Sequence, residues 1–537
     1  MIGSSSMNEV VGHHNFSPLP CFGSRGSGLI AMAIAAALGA GCSDNKAAGT
    51  DAGTSADAGV NRDAGETVLP REVTVALIPQ EGVSGMQLVN FAVPLAKGAL
   101  QAEADVEVLV DGAPIAAYRR GLATHIDGSL RSVQVQIEID VSASSELLIQ
   151  IGTPATGGVR KAVDVVSTLL EPSGETGPKV WAVLPAEWLS AAGLAGPSVP
   201  HSDFAESTLD AWGSVCDYER WNTEAFTDVR AERGPWLYDR VTTMIRGYQV
   251  YGGQSPLASA FSEAHVYRNG MSGSGTDTRI GVPGAAGDVK YHYGQGLALH
   301  YLLTGDDRFR EAAENIADRM SGLWTSPGYA GGADFWTERH AGFSLLAYTW
   351  AASVSDGRSE EFAALADEAV TAYVDLQETY PIGYADTEAR CFAHSADAHG
   401  EGYGYFGCSP WMSAILADGL DAYASLETGP LADAARNSLV QLGRAVARDG
   451  IDETGKPYYW MGVDNASNEI DSYNEHWGEP AYVIALAYHY DGRQDSELFQ
   501  AASTLVERLG TSGTSPHVRS FNWQCRSAVM TPYYLMP

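Results

Sequence analysis

The sequence predicts an α+β multidomain protein, an N-terminal β-barrel or sandwich followed by an α/α toroid of helical hairpins. Period-two patterning predicts strands after residue 71, and helical periodicity replaces it further along the chain. A short pattern also opens three apolar helical runs: His292-Tyr293-Gly294, His340-Ala341-Gly342 and His476-Trp477-Gly478. Repeated hairpins bury a shared core by closing on their neighbours, which favours a toroid over an open solenoid.

The expected domain organisation has four segments. Residues 1–41 form a lipoprotein signal peptide, residues 42–70 a flexible tether, residues 71–175 the β-domain and residues 176–537 the toroidal catalytic domain. The tether carries repeated Asp-Ala-Gly triplets, and small acidic segments bury too little apolar surface to order themselves. A calcium-binding repeat is the alternative, but its aspartates are poorly spaced for one.

The signal segment is an apolar stretch at residues 28–38 that follows Arg25 and precedes Gly39-Ala40-Gly41-Cys42. It is short for a membrane span. It resembles a bacterial lipoprotein signal, which implies that Cys42 is the lipidated N-terminus of an outer-membrane lipoprotein in the cell envelope, facing either side. An ordinary secretory peptide is the alternative. Membrane contact is expected only through the lipid anchor.

The charge balance narrows the possible partners. The 537-residue chain has a formal net charge of −33, which would repel nucleic acid and acidic membrane surfaces. An acidic substrate is compatible with this charge only where arginine, lysine or histidine side chains cluster locally.

Four cysteines remain after the export region, and an even number in an exported protein favours disulfides. Four cysteines allow three pairings. Cys391 with Cys408 would close a short loop, and Cys216 with Cys525 would then join the start of the helical domain to its end.

Strands are expected over Val73–Leu77, Val106–Val110, Ser132–Val141 and Leu147–Ile151. In the third, valines and isoleucines alternate with polar residues, so one face is expected to be buried and the other solvated. Asp111-Gly112 and Asp127-Gly128 suit tight turns.

The helical hairpins are expected to begin near His292, His340, Trp411 and His476, with an earlier pair between residues 233 and 267. The glycines that separate the two helices of each hairpin are Gly305, Gly357, Gly429 and Gly492.

The densest proton-handling cluster runs from Lys290 through Tyr291, His292 and Tyr293. Imidazole and phenol groups offer a general base and a general acid, with Lys290 beside them for substrate binding. The structural alternative is that these aromatics only fill the ring.

A second cluster contains Trp336, Glu338, Arg339 and His340. Trp336 offers a platform for a sugar, and Arg339 suits bidentate pairing with a carboxylate. The alternative is an Arg339 that forms a salt bridge with Glu338 or caps a helix end.

The third cluster contains Asn474, His476 and Trp477, and Arg268 lies upstream at a predicted helix end. Asn474 or His476 could neutralise a substrate carboxylate, and Trp477 could stack on a sugar face. The alternative places Trp477 in the core. His394 and His399 lie near carboxylates, but their spacing matches no zinc signature, so no metal is expected.

Two further stretches carry a family resemblance: Phe91 to Leu100 with Asp127-Gly128-Ser129-Leu130-Arg131, and Tyr293-Gly294-Gln295-Gly296-Leu297 with Leu302 to Asp306. They are similar to the β-domain and the opening toroid hairpin of exo-acting rhamnogalacturonan lyases. The resemblance implies a polysaccharide lyase that degrades a uronate-containing glycan by β-elimination, without a cofactor.

In that reaction a cation or hydrogen-bond donor must neutralise the carboxylate before a base removes the neighbouring proton. Arg339, Arg268 or Asn474 suits the first task, and His292 or an ionised tyrosine the second, with Tyr291 or Tyr293 protonating the leaving oxygen. The alternatives are a glycoside hydrolase on the same toroid, using Glu338, Asp334, Glu475 or Glu479, and a surface glycan-binding lipoprotein without turnover.

Overall fold

The computed structural model describes residues 71–211, 215–323, 337–395 and 402–537. These ranges fall in one compact unit, Asn61–Pro537. The predicted signal peptide, the Cys42 lipidation site and the tether lie outside the described residues, as do Trp336, Asp334 and His399.

Two antiparallel sheets occupy the first part of the described chain. Their strands are β1 Glu72–Pro79, β2 Met86–Pro94, β3 Val106–Val110, β4 Ala113–Pro114, β5 Tyr118–Thr124, β6 Leu130–Asp140, β7 Glu146–Ile151 and β8 Val180–Val183. One sheet has the order β4-β3-β7-β1-β8 and the other the order β2-β6-β5. Whether the two are better described as a barrel or a sandwich stays a prediction.

The four predicted strands correspond to β1, β3, β6 and β7. The predicted turn at Asp111-Gly112 joins β3 to β4, with positive φ at both residues as a two-residue hairpin turn requires. β2, β4, β5 and β8 were not predicted, and β8 lies beyond residue 175.

The prediction that one face of β6 is solvated holds only near the end of the strand, where Glu138 is exposed and Asp140 half-buried. Ser132, Gln134 and Gln136 on its polar face are all buried. The hydroxyl of Ser132 donates to the carbonyl of Leu302 at 2.7 Å, and the amide of Gln134 donates to the carbonyl of Thr304 at 3.2 Å. The polar face is covered because it satisfies the last carbonyls of a helix that packs on the sheet.

Helices account for most of the remaining described chain. They are α1 Ala186–Ala192, α2 Thr223–Thr227, α3 Arg240–Tyr251, α4 Gln254–Asn269, α5 Gln295–Thr304, α6 Asp307–Leu323, α7 Glu338–Val354, α8 Ser359–Thr379, α9 Ser413–Leu426, α10 Pro430–Asp449, α11 Gly478–Tyr490, α12 Ser496–Ser512, α13 Val518–Ala528 and α14 Thr531–Leu535. A small sheet lies in the loops, in the order β12-β11-β10-β9, formed by β9 His394–Ser395, β10 Phe406–Cys408, β11 Tyr458–Gly462 and β12 Glu469–Ile470.

The helices form a closed ring. Helices α3, α5, α7, α9, α11 and α13 contact one another in that order, and α13 contacts α3 again. The intervening helices α4, α6, α8, α10 and α12 each pack on the inner helix that precedes them. This arrangement is the predicted α/α toroid, which follows the β-sheet region.

The hairpin positions agree with the expected ones. Gly305 ends α5 with a left-handed conformation, φ 66°, that costs glycine little. Gly357, Gly429 and Gly492 lie between the helices of the later hairpins. The helix α13, which closes the ring, was not predicted. No helix within the described ranges is long and apolar enough to cross a membrane.

The two predicted disulfides are present. Cys216 pairs with Cys525 and Cys391 with Cys408, with Cα–Cα distances of 5.4 and 6.3 Å. The first joins the segment before the ring to α13, so it fixes the two ends of the helical region to each other.

A buried ionic cluster crosses the interior of the ring. The carboxylate of Asp418 in α9 contacts Arg246 in α3 at 2.5 Å and Arg526 in α13 at 2.6 Å. All three side chains are almost completely buried, so the pairing compensates for the loss of hydration.

The sheets cover one end of the ring. The carbonyl of Thr304, at the end of α5, accepts from Asn90 in β2 at 2.8 Å. Trp188 in α1 donates from its indole to the carbonyl of Pro94 at 2.8 Å, and Trp181 packs edge-on against Phe261 in α4. The other end, where the inner helices begin, is called the mouth below.

Candidate active site

The mouth brings together cationic and aromatic residues that are far apart in the sequence. We call this group the mouth cluster; its members are Arg233, Tyr238, Asp288, Lys290, Tyr291, Arg339, His340, Trp411, Arg519 and Trp523.

Arg339 occupies the first turn of α7, which Thr337 caps by accepting from the backbone N–H of His340. Its Nη1 donates to the hydroxyl of Tyr238 at 3.1 Å, and its guanidinium lies 5.6 Å from the ring centroid of Trp411. No carboxylate of a described residue lies within 4 Å of this guanidinium, and its Nε has no hydrogen-bond partner there. Arg339 is therefore a half-buried cation with donors to spare.

The predicted alternative, a salt bridge between Arg339 and Glu338, is not what the structure shows. Glu338 is fully buried and accepts from His394 Nε2 and from the backbone N–H of Ser409, both at 2.7 Å. Neighbouring residues in the first turn of a helix point in different directions, which separates the two side chains.

Asp288 joins Lys290 and His340. Its carboxylate lies 2.8 Å from Lys290 Nζ and 3.6 Å from His340 Nε2, while His340 Nδ1 lies 2.7 Å from the hydroxyl of Thr337. Burial lowers the pKa of His340 to about 4, despite the opposing effect of Asp288. Burial would raise the pKa of Asp288, but hydrogen bonds from His340 and Lys290 hold it well below its usual value. Near neutral pH the pair is thus a neutral imidazole beside a carboxylate.

Further cations lie over aromatic rings. Arg233 and Lys290 are 5.5 and 5.7 Å from the ring centroid of Tyr291, and Arg519 is 4.6 Å from that of Trp523. Such positions are favourable for cations because of the negative ring face. Burial raises the pKa of Tyr291, against the effect of Arg233, so its hydroxyl stays protonated.

The rings beneath form a continuous aromatic layer. Trp411 stacks on His476 at 4.2 Å and contacts Trp523 at 5.7 Å and Tyr238 at 6.2 Å. Arg339 and Arg519 lie over the rings of this layer, which keeps both guanidinium groups at the mouth and out of the ring interior.

Several residues predicted for the site are buried and do not reach the surface of the mouth. His292 is 0% exposed, and its Nδ1 is 2.9 Å from the carbonyl oxygen of Asp288. Burial lowers its pKa to about 4. Tyr293 donates its hydroxyl to the carbonyl of Trp236 at 2.7 Å, and His476 contacts Glu479 at 3.2 Å. All three are buried, so we assign them to the support of the mouth and not to its surface.

Other predicted binding residues lie elsewhere or are already engaged. Arg268 lies among Asp306, Arg308 and Glu311 and is not brought to the mouth cluster. The Asn474 amide contacts the carbonyl of Ser512 and accepts from the indole of Trp477. Trp477 itself is 2% exposed and belongs to the core, so its ring has no face for a sugar. Trp336 lies outside the described residues.

His394, the candidate metal ligand, instead pairs with Glu338. Within the described part of the chain, no group of three or more histidine, cysteine, aspartate or glutamate side chains could hold a metal ion.

Sequence reasoning missed Asp288, Tyr238, Arg233, Arg519 and the site role of Trp411. Asp288 precedes the predicted cluster by two residues, but a single aspartate in a glycine-rich loop carries no signal. Arg519 and Trp523 share a face of α13 at i and i+4, yet that helix was not recognised.

No family model and no curated protein matches this sequence. Three solved structures that it resembles are of carbohydrate-active enzymes. A sugar epimerase from a ruminal bacterium is 12% identical, covers 60% of this chain and 97% of its own, and has a TM-score of 0.42. A glycosyl hydrolase of family 88 from Bacteroides vulgatus is 9% identical, with coverages of 62% and 99% and a TM-score of 0.44. An unsaturated glucuronyl hydrolase specific for heparin is 13% identical, with coverages of 54% and 67% and a TM-score of 0.29. Since all three TM-scores are below 0.5, the proposals below do not depend on these similarities.

Proposed function

We propose that this protein is an enzyme that acts on a uronate-bearing glycan at the mouth of its ring. The observation that supports this most directly is Arg339, a half-buried guanidinium without a carboxylate partner among the described residues. It shares the mouth with Arg233, Lys290 and Arg519, although the chain as a whole has a net charge of −33. A local cationic patch in an acidic protein selects anionic ligands.

The reaction we propose is β-elimination. Arg339 pairs with the uronate carboxylate, which makes the hydrogen on the adjacent carbon more acidic. A base removes that proton, the electron pair forms a carbon–carbon double bond, and the glycosidic bond breaks at the neighbouring carbon. The leaving oxygen takes up a proton, and no oxidant or cofactor is consumed.

We assign the role of general base to His340, and we propose that Asp288 orients the His340 imidazole. His340 lies near enough to Arg339 for the charge of the guanidinium to lower the pKa of the imidazole, so a carboxylate held by one is near the other. Its neutral imidazole can accept a proton, and the ionised Asp288 at 3.6 Å would stabilise the resulting imidazolium. Tyr291, whose raised pKa keeps it protonated, is the candidate proton donor.

Glycoside hydrolysis is the second candidate function, and Glu475 favours it. Burial and, to a smaller extent, Asp471 raise the pKa of Glu475 against the effect of Arg519, and its Oε2 has no partner among the described residues. A carboxyl with a raised pKa and an ionised one, Asp288, are the two kinds of group that hydrolysis requires.

The test is a screen of pectic, alginate, ulvan and glycosaminoglycan substrates with the purified protein. Elimination leaves an unsaturated uronate that absorbs in the ultraviolet, whereas hydrolysis gives new reducing ends without that absorbance. Arg339→Ala should remove activity, and Arg436→Ala, in an exposed pair with Asp433, is the matched control. Glycan binding without any product would instead indicate a binding protein.

We also propose that the protein is a lipoprotein of the bacterial cell envelope, anchored through Cys42. Labelling with a radioactive fatty acid should modify the wild-type chain and not a Cys42→Ala variant. Labelling of both chains would contradict the proposal.

A further inference from the structure

A second group of cations lies at the end of the ring that the sheets cover. Here a cavity of about 660 Å³ is lined on the sheet side by Lys97, His125 and Arg131, and on the ring side by Trp350 and Ser425. Arg339 and Trp350 belong to the same helix, and at 1.5 Å per residue they are about 16 Å apart along its axis. The cavity is therefore separate from the mouth.

Arg131 in β6 is unusual because it is 8% exposed and yet unpaired. Its side chain makes no ion pair or hydrogen bond with any residue in the described ranges, and its Nε lacks a partner. The guanidinium lies 5.4 Å from the ring centroid of Trp350. Burial lowers its pKa to about 10, so it remains charged at neutral pH.

An uncompensated buried charge is costly, and proteins normally pair it. Four carboxylates of described residues line the cavity, Glu187, Asp203, Asp418 and Asp421, and none of them forms an ion pair with Arg131. Asp418 is engaged by Arg246 and Arg526, and Asp421 accepts from the hydroxyl of Tyr534 at 2.6 Å. A counter-charge for Arg131 must therefore come from outside this group.

The remaining walls define the body of such a ligand. They are formed by residues of α1 and the loop after it, together with Met530. Ala191, Ala195, Pro197 and Val199 make an apolar patch there, beside the polar Glu187, Ser190, Ser198 and Asp203. A volume of this size is typical of sites for small molecules. Lys97, which is exposed, adds a second positive charge at the rim.

We propose that this cavity is a binding site for a small carboxylate, whose charged group pairs with Arg131 and whose body lies against the apolar wall. The proposal does not depend on the function of the mouth. The carboxylate could belong to a sugar acid or to an aliphatic acid, and both fit the volume.

The test is titration calorimetry of the full chain carrying Arg339→Ala. This substitution removes the guanidinium that we propose binds carboxylates at the mouth. Galacturonate and octanoate are the probes, and galactose and octanol are their uncharged counterparts. We expect one of the two acids to bind and its uncharged counterpart not to bind. Adding Arg131→Met should weaken binding at least tenfold, whereas adding Arg160→Met, in a pair with Glu138, should leave it unchanged.

Binding of neither acid, or binding that Arg131→Met leaves unchanged, would overturn the proposal. If Arg131→Met does not fold, as judged by its thermal transition, Lys97→Met replaces it, since that side chain is exposed. Several-fold weaker binding by Lys97→Met is then expected, and unchanged affinity would count against the site. The acid that binds distinguishes a sugar acid from an aliphatic one.

Discussion

Glu338 accepts a hydrogen bond from His394 at 2.7 Å, and this pairing holds it away from its chain neighbour Arg339. The backbone N–H of Ser409 engages the other oxygen of Glu338. The carboxylate that could most easily have paired with Arg339 is thus occupied below the surface. Arg339 therefore keeps its hydrogen-bond donors for a ligand at the mouth, and most of the proposed chemistry depends on those donors.

Replacement of Arg339 tests directly whether its hydrogen-bond donors act on the substrate. Arg339→Ala should lower kcat/KM by about 10²-fold or more, because the carboxylate loses its donors just as the departing proton leaves more negative charge on it. Arg339→Lys should recover part of the activity, since it restores the charge without the bidentate geometry. Steady-state kinetics of both variants on the best glycan provide the measurement. Equal activity of all three proteins would remove Arg339 from the mechanism.

The two histidines predicted from the sequence should behave differently. His340→Gln should lower kcat by roughly 10²–10⁴-fold, the usual contribution of a general base. His292→Ala should act mainly through stability, because His292 is completely buried. Kinetics beside thermal melts separate these effects. A folded His292→Ala protein without activity, together with an active His340→Gln protein, would reverse the assignment.

The pH dependence of kcat/KM should reflect His340. Since burial lowers its pKa to about 4, its base form dominates above that value and the rate should show no acid limb near the ordinary histidine value of about 6.5. Asp288 raises the pKa of His340, so Asp288→Asn should move the acid limb to lower pH as well as slow the reaction. A pH profile that is identical in Asp288→Asn would show that the two residues are not coupled.

Buried histidines should make the fold sensitive to acid. Burial lowers the pKa of His300 well below its usual value, and its ring centroid lies 3.9 Å from that of Phe309. The unfolded chain then binds the proton more readily, so the contribution of this group is complete above about pH 6.5 and is lost as the pH falls toward the folded-state pKa. Urea unfolding between pH 7 and 5 should show a shallower loss of stability in His300→Phe than in the wild type. An unchanged slope would contradict this account.

The two disulfides should differ in their effect on stability. The Cys216–Cys525 bridge spans 309 residues and the Cys391–Cys408 bridge 17. On the chain-entropy estimate their removal costs roughly 6 and roughly 3 kcal/mol. Guanidinium unfolding of the two double cysteine-to-alanine variants checks the order. A greater loss from the short bridge would show that local contacts, and not loop closure, determine its contribution.

Asp418 should be far more sensitive to replacement than a surface carboxylate. Asp418→Asn leaves Arg246 and Arg526 buried with no negative charge between them, which should cost about 3–5 kcal/mol. Asp433→Asn, in the exposed pair with Arg436, should cost under about 1 kcal/mol. Equal losses in the two variants, measured by chemical unfolding, would argue against a structural role for the buried cluster.

The hairpins were predictable because local rules determine them. Gly305, Gly429 and Gly492 take positive φ at helix boundaries, and apolar periodicity identifies the helices between them. The cysteine pairing followed from chain order. Helix α13 was missed because polar residues such as Asn522, Gln524 and Arg526 are buried there, so its apolar pattern is weak.

The candidate site was only partly predictable for a similar reason. Histidine next to tyrosine suggested chemistry at His292 and Tyr293, but their burial depends on how the hairpins close. The contact of His340 with Asp288 and that of Arg339 with Tyr238 each join the start of α7 to the loop before another inner helix. Tertiary packing of this kind leaves no trace in the spacing of residues along the chain.

The salt-bridged cluster of Asp418, Arg246 and Arg526 has a consequence for how a polymer can be handled. It fills the centre of the ring, and the sheets cover the far side, so the described residues leave no path through the ring for the proposed glycan strand. A strand must leave by the opening through which it arrived, which suits a chain end or a short branch better than continuous threading.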